Sequence, residues 1–190
     1  MTNRREFFRW LMAASFLGLA LGLCGCRPER AAGPHAPVRH PDGAAAGVAA
    51  VVAGERHSLA VLADGTVAAW GWNDGGQICG RPPGRHPRLE TIRAADGRAL
   101  GGGRAVALGG SHAVVLGRDG TAWCWGGNAY GQLGKGDREN APSPVAVRGP
   151  DGVGVLSNLV AVAAGGLHTV ALQGDGSVWA WGRGNSGQLG

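Results

Sequence analysis

The sequence predicts an all-β fold, a β-propeller of about three four-stranded blades with an incomplete ring. Three observations carry this. A motif recurs at residues 57–79, 112–134 and 168–190, and its histidines (His57, His112, His168) and tryptophans (Trp70, Trp125, Trp181) are spaced 55 and 56 residues apart. A fixed period of this size marks stacked supersecondary units. Each copy places an Asp-Gly pair, Asp64-Gly65, Asp119-Gly120 or Asp175-Gly176, between two short apolar runs. Such a pair supplies the positive-φ residues of a hairpin turn. Each unit also holds four strand candidates, in the third copy at 144–148, 159–163, 169–172 and 177–181. Four strands per unit is the make-up of a propeller blade.

Residues 1–26 read as a targeting segment. Arg4 and Arg5 open a charged start, and the following mainly apolar run, 10–23, is of signal-peptide length and short for a bilayer span. The opening resembles a twin-arginine export motif. Leu23-Cys24-Gly25-Cys26 resembles a bacterial lipobox in which Cys26 is the residue to be acylated, the other readings being an uncleaved membrane anchor and a cleaved, unlipidated signal. Residues 27–34, R-P-E-R-A-A-G-P, read as a flexible tether. The repeats then occupy about 35–80, 86–134 and 142–190. The arginines of three aligned segments, Arg39, Arg93 and Arg148, extend the period upstream of the histidines.

With 37 glycines but 44% hydrophobic residues, the chain is turn-rich without being collagen-like or disordered. Trp123 and Trp125 lie two apart, as do Trp179 and Trp181, so each pair projects from one strand face and needs a neighbouring sheet to cover it. The formal charge is +5. Part of it sits in the targeting segment, and part in a cluster, Arg81, Arg85, Arg88, Arg93, Arg98 and Arg104, interrupted by Glu90 and Asp96. That cluster reads as a solvated strand with its loops, the other reading being a polyanion-binding patch. No nucleic-acid partner is expected.

Three histidines at one repeat position could form a ring of imidazoles for a metal such as zinc. Each follows a glycine by three residues (Gly54, Gly109, Gly165) and precedes an apolar run, which favours a structural hydrogen bond in a turn. The aspartates of the Asp-Gly pairs are accounted for by turn chemistry. No phosphate-cradling loop, Ser-His-Asp order or zinc-type cysteine pair is present. No catalytic residue, metal or cofactor is therefore expected. Cys79 and Cys124 remain after the targeting segment. An exported chain permits a disulfide between them, while Cys124 also reads as a buried thiol.

The combined wording G-x-x-H-[TSA], D-G-x-V-W-x-W-G and N-x-x-G-Q-L-G resembles the repeat of the regulator of chromosome condensation family, whose members are seven-bladed β-propellers. The resemblance covers about residues 35–190. Copy one departs from it at Ala68, where Trp123 and Trp179 stand in the others, and at Cys79, where Gly134 and Gly190 stand. With seven blades each covers about 51° of the circle, so three leave an open arc. The chain is accordingly expected to be a piece of a longer propeller or to self-associate through uncovered faces. Trp181 is expected to lack cover and Trp125 to keep it. The resemblance implies a non-enzymatic interaction module binding a protein or glycan through blade loops, and the targeting segment adds the expectation that it is lipid-anchored in the cell envelope. The alternatives are an envelope enzyme on the same scaffold, or a cytosolic GTPase or chromatin regulator if the export signal is misread.

Overall fold

The computed structural model describes residues 47–190. Arg4, Arg5, Cys26, the tether and the segment around Arg39 lie outside the described residues. Three antiparallel sheets follow one another along the chain. The first contains β1 (Val48–Ala53), β2 (His57–Leu62), β3 (Val67–Trp72) and β4 (Arg85–Thr91), hydrogen-bonded in that order. The second contains β5 (Gly103–Leu108), β6 (His112–Gly117), β7 (Ala122–Gly126) and β8 (Ala141–Ala146). The third contains β9 (Leu159–Ala164), β10 (His168–Gln173) and β11 (Val178–Gly182). The fold is all-β, with three propeller-type blades in a ring that does not close.

One strand belongs elsewhere than the repeat suggests. The segment expected as the first strand of the third unit is β8, and it pairs with β7 through Trp123↔Ala146 and Cys124↔Val145, completing the second sheet. The sequence period therefore begins one strand earlier than the sheet it feeds. Period alone cannot reveal this, because any cut through a repeat reproduces the same spacing.

The hairpin turns also differ in one detail from expectation. In the second sheet Gly117 N–H donates to Thr121 O at 2.8 Å and Gly120 N–H to Gly117 O at 3.1 Å, closing a loop of three residues. Of the Asp-Gly pair only the glycine has positive φ, at 86° for Gly65, 79° for Gly120 and 95° for Gly176. The aspartate instead turns its carboxylate onto the backbone. Asp64, Asp119 and Asp175 Oδ1 accept the N–H groups of Thr66, Thr121 and Ser177 at 2.8, 3.0 and 2.9 Å. A type I turn closed by a left-handed glycine has this form, with the aspartate making an Asx turn.

Burial follows the position of each sheet in the stack. β6 is buried at every residue because it is covered on both faces. Ala113 and Val115 join the apolar layer between the first and second sheets, with Leu59, Val67, Ile78 and Trp125. Val114 and Leu116 join the layer between the second and third, with Cys124, Leu133, Leu159 and Ala171. The side-chain alternation of a strand serves two cores here. In β10, which has no sheet beyond it among the described residues, burial is limited to Thr169 and Ala171.

The tryptophans face backward along the chain. Trp125 is 0% exposed and its Nε1 donates to Gln77 O at 2.8 Å, while Trp181 packs on the second sheet and donates to Gln132 O at 2.9 Å. The expectation that Trp181 lacks cover holds only in part, since the preceding unit covers it on one side while it stays half-buried where Trp125 is fully buried. Trp70, at the same position in the first sheet, is the tryptophan with no preceding sheet among the described residues. Cys79 and Cys124 are buried free thiols in different apolar layers, so the disulfide left open by the sequence does not form. Burial pushes the Cys79 thiol up to about 12 and raises Cys124 as well, leaving both protonated and inert.

A Cβ on Gly120 would meet the Asn158 backbone at 3.4 Å in addition to the strain of positive φ, whereas a Cβ on Gly176 meets nothing. Gly120→Val is expected to destabilise by roughly 1–3 kcal/mol, and Gly176→Val by less. Chemical denaturation of the two variants checks the order. A smaller loss at Gly120 than at Gly176 would contradict this account of the turn.

Candidate functional site

The repeated histidines sit at the turn that joins the first two strands of each sheet. Gly54, Gly109 and Gly165 N–H donate to the carbonyls of His57, His112 and His168 at 2.9, 2.9 and 3.0 Å, closing the turn. The imidazole then folds back over its own glycine. A Cβ on Gly109 would lie 2.1 Å from His112 Cε1, and one on Gly165 equally close to His168 Cε1. At Gly109 and Gly165 the three-residue spacing of G-x-x-H is therefore a packing requirement, whereas a Cβ on Gly54 would meet His57 Cε1 only at 3.4 Å.

His112 links two blades. Its Nε2 lies 3.0 Å from Thr169 Oγ1, and the Thr169 hydroxyl donates to Gln132 O at 2.8 Å. A hydroxyl has one proton, and a carbonyl can only accept. The proton therefore goes to Gln132, the hydroxyl accepts from His112, and the neutral ring carries its hydrogen on Nε2, an assignment made from the network. Nδ1 is left buried without a partner. Ala113 stands at the repeat position of Thr169 and offers no hydroxyl, and both ring nitrogens of His57 are buried without partners. Burial lowers the pKa of His57 to about 4. Burial, followed by the charges of His57 and His168, lowers His112 to about 4. Among the described residues no three His, Cys, Asp or Glu side chains are grouped so as to hold a metal ion.

The N-x-x-G-Q-L-G loop adjoins this turn, and its polar residues were not singled out from sequence. Asn128 Nδ2 donates to Asp137 O and Glu139 O, each at 2.9 Å, while its Oδ1 accepts Leu133 N–H at 2.9 Å. Asn73 makes the equivalent bonds to Arg81 O, Pro82 O and Ile78 N–H. Gln77, Gln132 and Gln188 Oε1 accept the N–H of Gly75, Tyr130 and Ser186 at 2.7, 2.9 and 2.8 Å. The signal was available, since a polar residue held constant in a loop needs a reason. That reason is to shape the loop whose Gln carbonyl receives the next unit's tryptophan.

The aspartates of the hairpin turns lie at the other end of the strands. The Thr121 N–H and hydroxyl hold Asp119 below the ordinary carboxyl range, and the Ser177 N–H and hydroxyl do the same for Asp175. Of the sequence-selected residues, the structure thus gathers the histidines and tryptophans at the blade interfaces and leaves the aspartates and their glycines in separate turns.

Around the G-x-x-H turns opens a cleft of about 470 Å³ lined by Glu55, Arg56, Trp72, Asp74, Ser111 and Leu167, with glycine backbone between them. Its side chains differ from unit to unit. Glu55-Arg56 corresponds to Gly110-Ser111 and Gly166-Leu167, and Trp72 corresponds to Gly127 and Arg183. Arg183 stacks on the Tyr130 ring at 5.4 Å. A constant hydrogen-bonded frame therefore displays unit-specific side chains at one end of the sheets. A second cleft, about 400 Å³, lies beside Trp179 and Trp181 and is lined by Asp137, Arg138 and Arg148.

Two measurements test the histidine frame. Thr169→Val removes the hydroxyl while conserving shape, and is expected to cost roughly 1–3 kcal/mol by orphaning His112 Nε2; a neutral effect in urea unfolding would contradict the bridge. The low pKa of His57 and His112 also gives stability a pH dependence. The unfolded histidines bind protons near pH 6.5, while the folded ones do so only near 4. The stability they contribute is complete above about pH 6.5 and lost as pH falls toward 4. His57→Asn/His112→Asn should flatten the stability profile over that window.

Models of the regulator of chromosome condensation (RCC1) repeat match residues 119–172 in one form and 48–77, 104–132 and 159–188 in another. Over 143 residues the chain is 33% identical to the ultraviolet-B receptor UVR8 of Arabidopsis thaliana, covering 74% of this chain and 30% of the receptor. It is 37% identical over 143 residues to the probable E3 ubiquitin-protein ligase HERC6 of Homo sapiens, covering 74% of this chain and 13% of that protein. The solved structure of Prp20p from Saccharomyces cerevisiae superposes with a TM-score of 0.62 at 25% identity, over 79% of this chain and 34% of Prp20p. Human WBSCR16 superposes with a TM-score of 0.61 at 27% identity, over 71% and 33%. The chain thus spans about a third or less of these proteins' length. Three repeats with the family's turn, loop and tryptophan chemistry, on the family's blade, make this chain a member of the regulator of chromosome condensation (RCC1) repeat family.

Proposed function

We propose that this RCC1 repeat domain, a protein-interaction module, works as a non-enzymatic receptor surface in the cell envelope, exported and anchored through lipid on Cys26. It holds a protein partner across the cleft at the G-x-x-H turns. The observation that carries the binding reading is the contrast at that end of the sheets. The frame of His, Asn, Gln and glycine is repeated, while Glu55, Arg56, Trp72, Asp74 and Arg183 are particular to their units. Side chains that the fold does not require, held on a rigid frame, are what recognition needs. The solved Prp20p is described with its binding properties to Gsp1p and histones, which supports a protein over a glycan as the class of partner. Export and anchoring are supported by Arg4-Arg5, the apolar run and the Leu23 to Cys26 box.

Two experiments test the parts separately. A fatty-acid probe should label the wild type and not Cys26→Ser; equal labelling of both removes the lipid anchor. A photo-crosslinking residue at Trp72 should capture a discrete protein in intact cells, and one at Arg118, near the opposite ends of the strands, should not. Glu55→Arg/Asp74→Arg should abolish the Trp72 adduct without lowering thermal stability. An adduct unchanged by that reversal would place the contact elsewhere.

A further inference from the structure

The positive charge of the described domain is concentrated in one place. Of the twelve Lys and Arg residues between 47 and 190, five (Arg81, Arg85, Arg88, Arg93 and Arg98) fall within 81–98, against Glu90 and Asp96. The rest of the domain has seven basic and eight acidic residues. All five arginines are exposed, and they run from the loop before β4, along β4 and into the loop that follows. Arg81 pairs with Glu90, and Arg98 approaches Asp96 at 3.8 Å. Arg93 reaches the Gly97 carbonyl at 3.0 Å. Arg85 and Arg88 have no side-chain partner among the described residues.

The fold does not require this charge. β4 is the outermost strand of the first sheet, and an edge strand needs protection against pairing with another chain, which charge or proline supplies. The outermost strand of the second sheet, β8, has the same position and reads A-P-S-P-V-A. It is protected by Pro142 and Pro144 and carries no charge at all. β4 already has Pro87. Its arginines are therefore an addition specific to this blade.

We propose that the outer rim of the first blade, centred on Arg85 and Arg88, docks on an anionic lipid surface. This rests on the lipid-anchor reading, which supplies the occupant. The first blade is the one joined to the N-terminal segment, since β1 begins at Val48 in the same sheet as β4. From Cys26 to Gly47 is 21 residues, a reach of at most about 70 Å. A domain confined within that distance of a bilayer meets it repeatedly, and charge attraction acts only within a Debye length of roughly 8–10 Å. The lipid therefore sets the confinement, and the arginine rim selects which side of the domain faces the headgroups.

The test is flotation of the full chain with vesicles of phosphatidylcholine alone or mixed with phosphatidylglycerol, comparing wild type with Arg85→Gln/Arg88→Gln. Each juxtamembrane arginine strengthens partition roughly fivefold, so the double variant should bind the anionic vesicles on the order of thirtyfold more weakly. The difference should vanish on neutral vesicles and in high salt. Arg118→Gln/Arg138→Gln, which removes the same net charge from the second blade, should bind as wild type does. Repeating the pair in a Cys26→Ser background separates the two readings. There the arginine effect should persist, whereas loss of the anchor lowers binding to both vesicle types alike. Equal weakening by both double variants, no weakening by Arg85→Gln/Arg88→Gln, or tighter binding of that rim to an oligonucleotide than to anionic vesicles would overturn the proposal.

Discussion

Each sheet after the first is tied to its predecessor by one indole N–H that donates into the previous unit's loop, Trp125 to Gln77 O and Trp181 to Gln132 O. The rest of the stack depends on this contact. The indole covers the apolar layer while its polar edge finds a carbonyl, so a large wedge is buried without orphaning its donor. The carbonyl is presented only because the loop is shaped from within by Asn73 or Asn128 and by the side chain of Gln77 or Gln132. The repeated words of the sequence are therefore two halves of one joint, a socket in each unit and a plug in the unit after it.

That direction explains where burial is complete. Trp125 has a socket behind it and sits in a four-stranded sheet, and it is fully buried. Trp181 has the same kind of socket, but its sheet has three strands among the described residues where that of Trp125 has four, and it remains partly exposed. β6, in the middle sheet, is apolar on both faces where β10 is buried on one. Nearest-neighbour packing of this kind makes the stability of a unit depend on its place in the row.

The histidine turn is less uniform, and the difference is chemical. Thr169 partners one ring nitrogen of His112, while Ala113, at the same repeat position, has no hydroxyl to offer His57. Both rings remain neutral, since neither is offered a partner that would compensate a buried charge. The histidines thus serve as rigid fillers over glycine. The turn face that they stiffen presents Glu55, Arg56 and Trp72, which no other unit shares. Frame and display are adjacent in sequence yet answer to different demands.

Much of this was legible in the chain itself. The period of His57, His112 and His168, the Asp-Gly turns and the paired tryptophans dictate sheets that stack, because a hairpin with one large apolar face is unstable alone. The resemblance of those words to a known repeat added the blade. What spacing could not decide was the partition of strands among sheets, the direction of each tryptophan, and the fate of the two cysteines. β8 joins the sheet before its repeat, Trp181 is covered from behind, and Cys79 and Cys124 lie in different layers. Each is a question of which unit lies on which side. A translationally repeated sequence is silent on that, since every residue has an equivalent neighbour in both directions until the chain is folded.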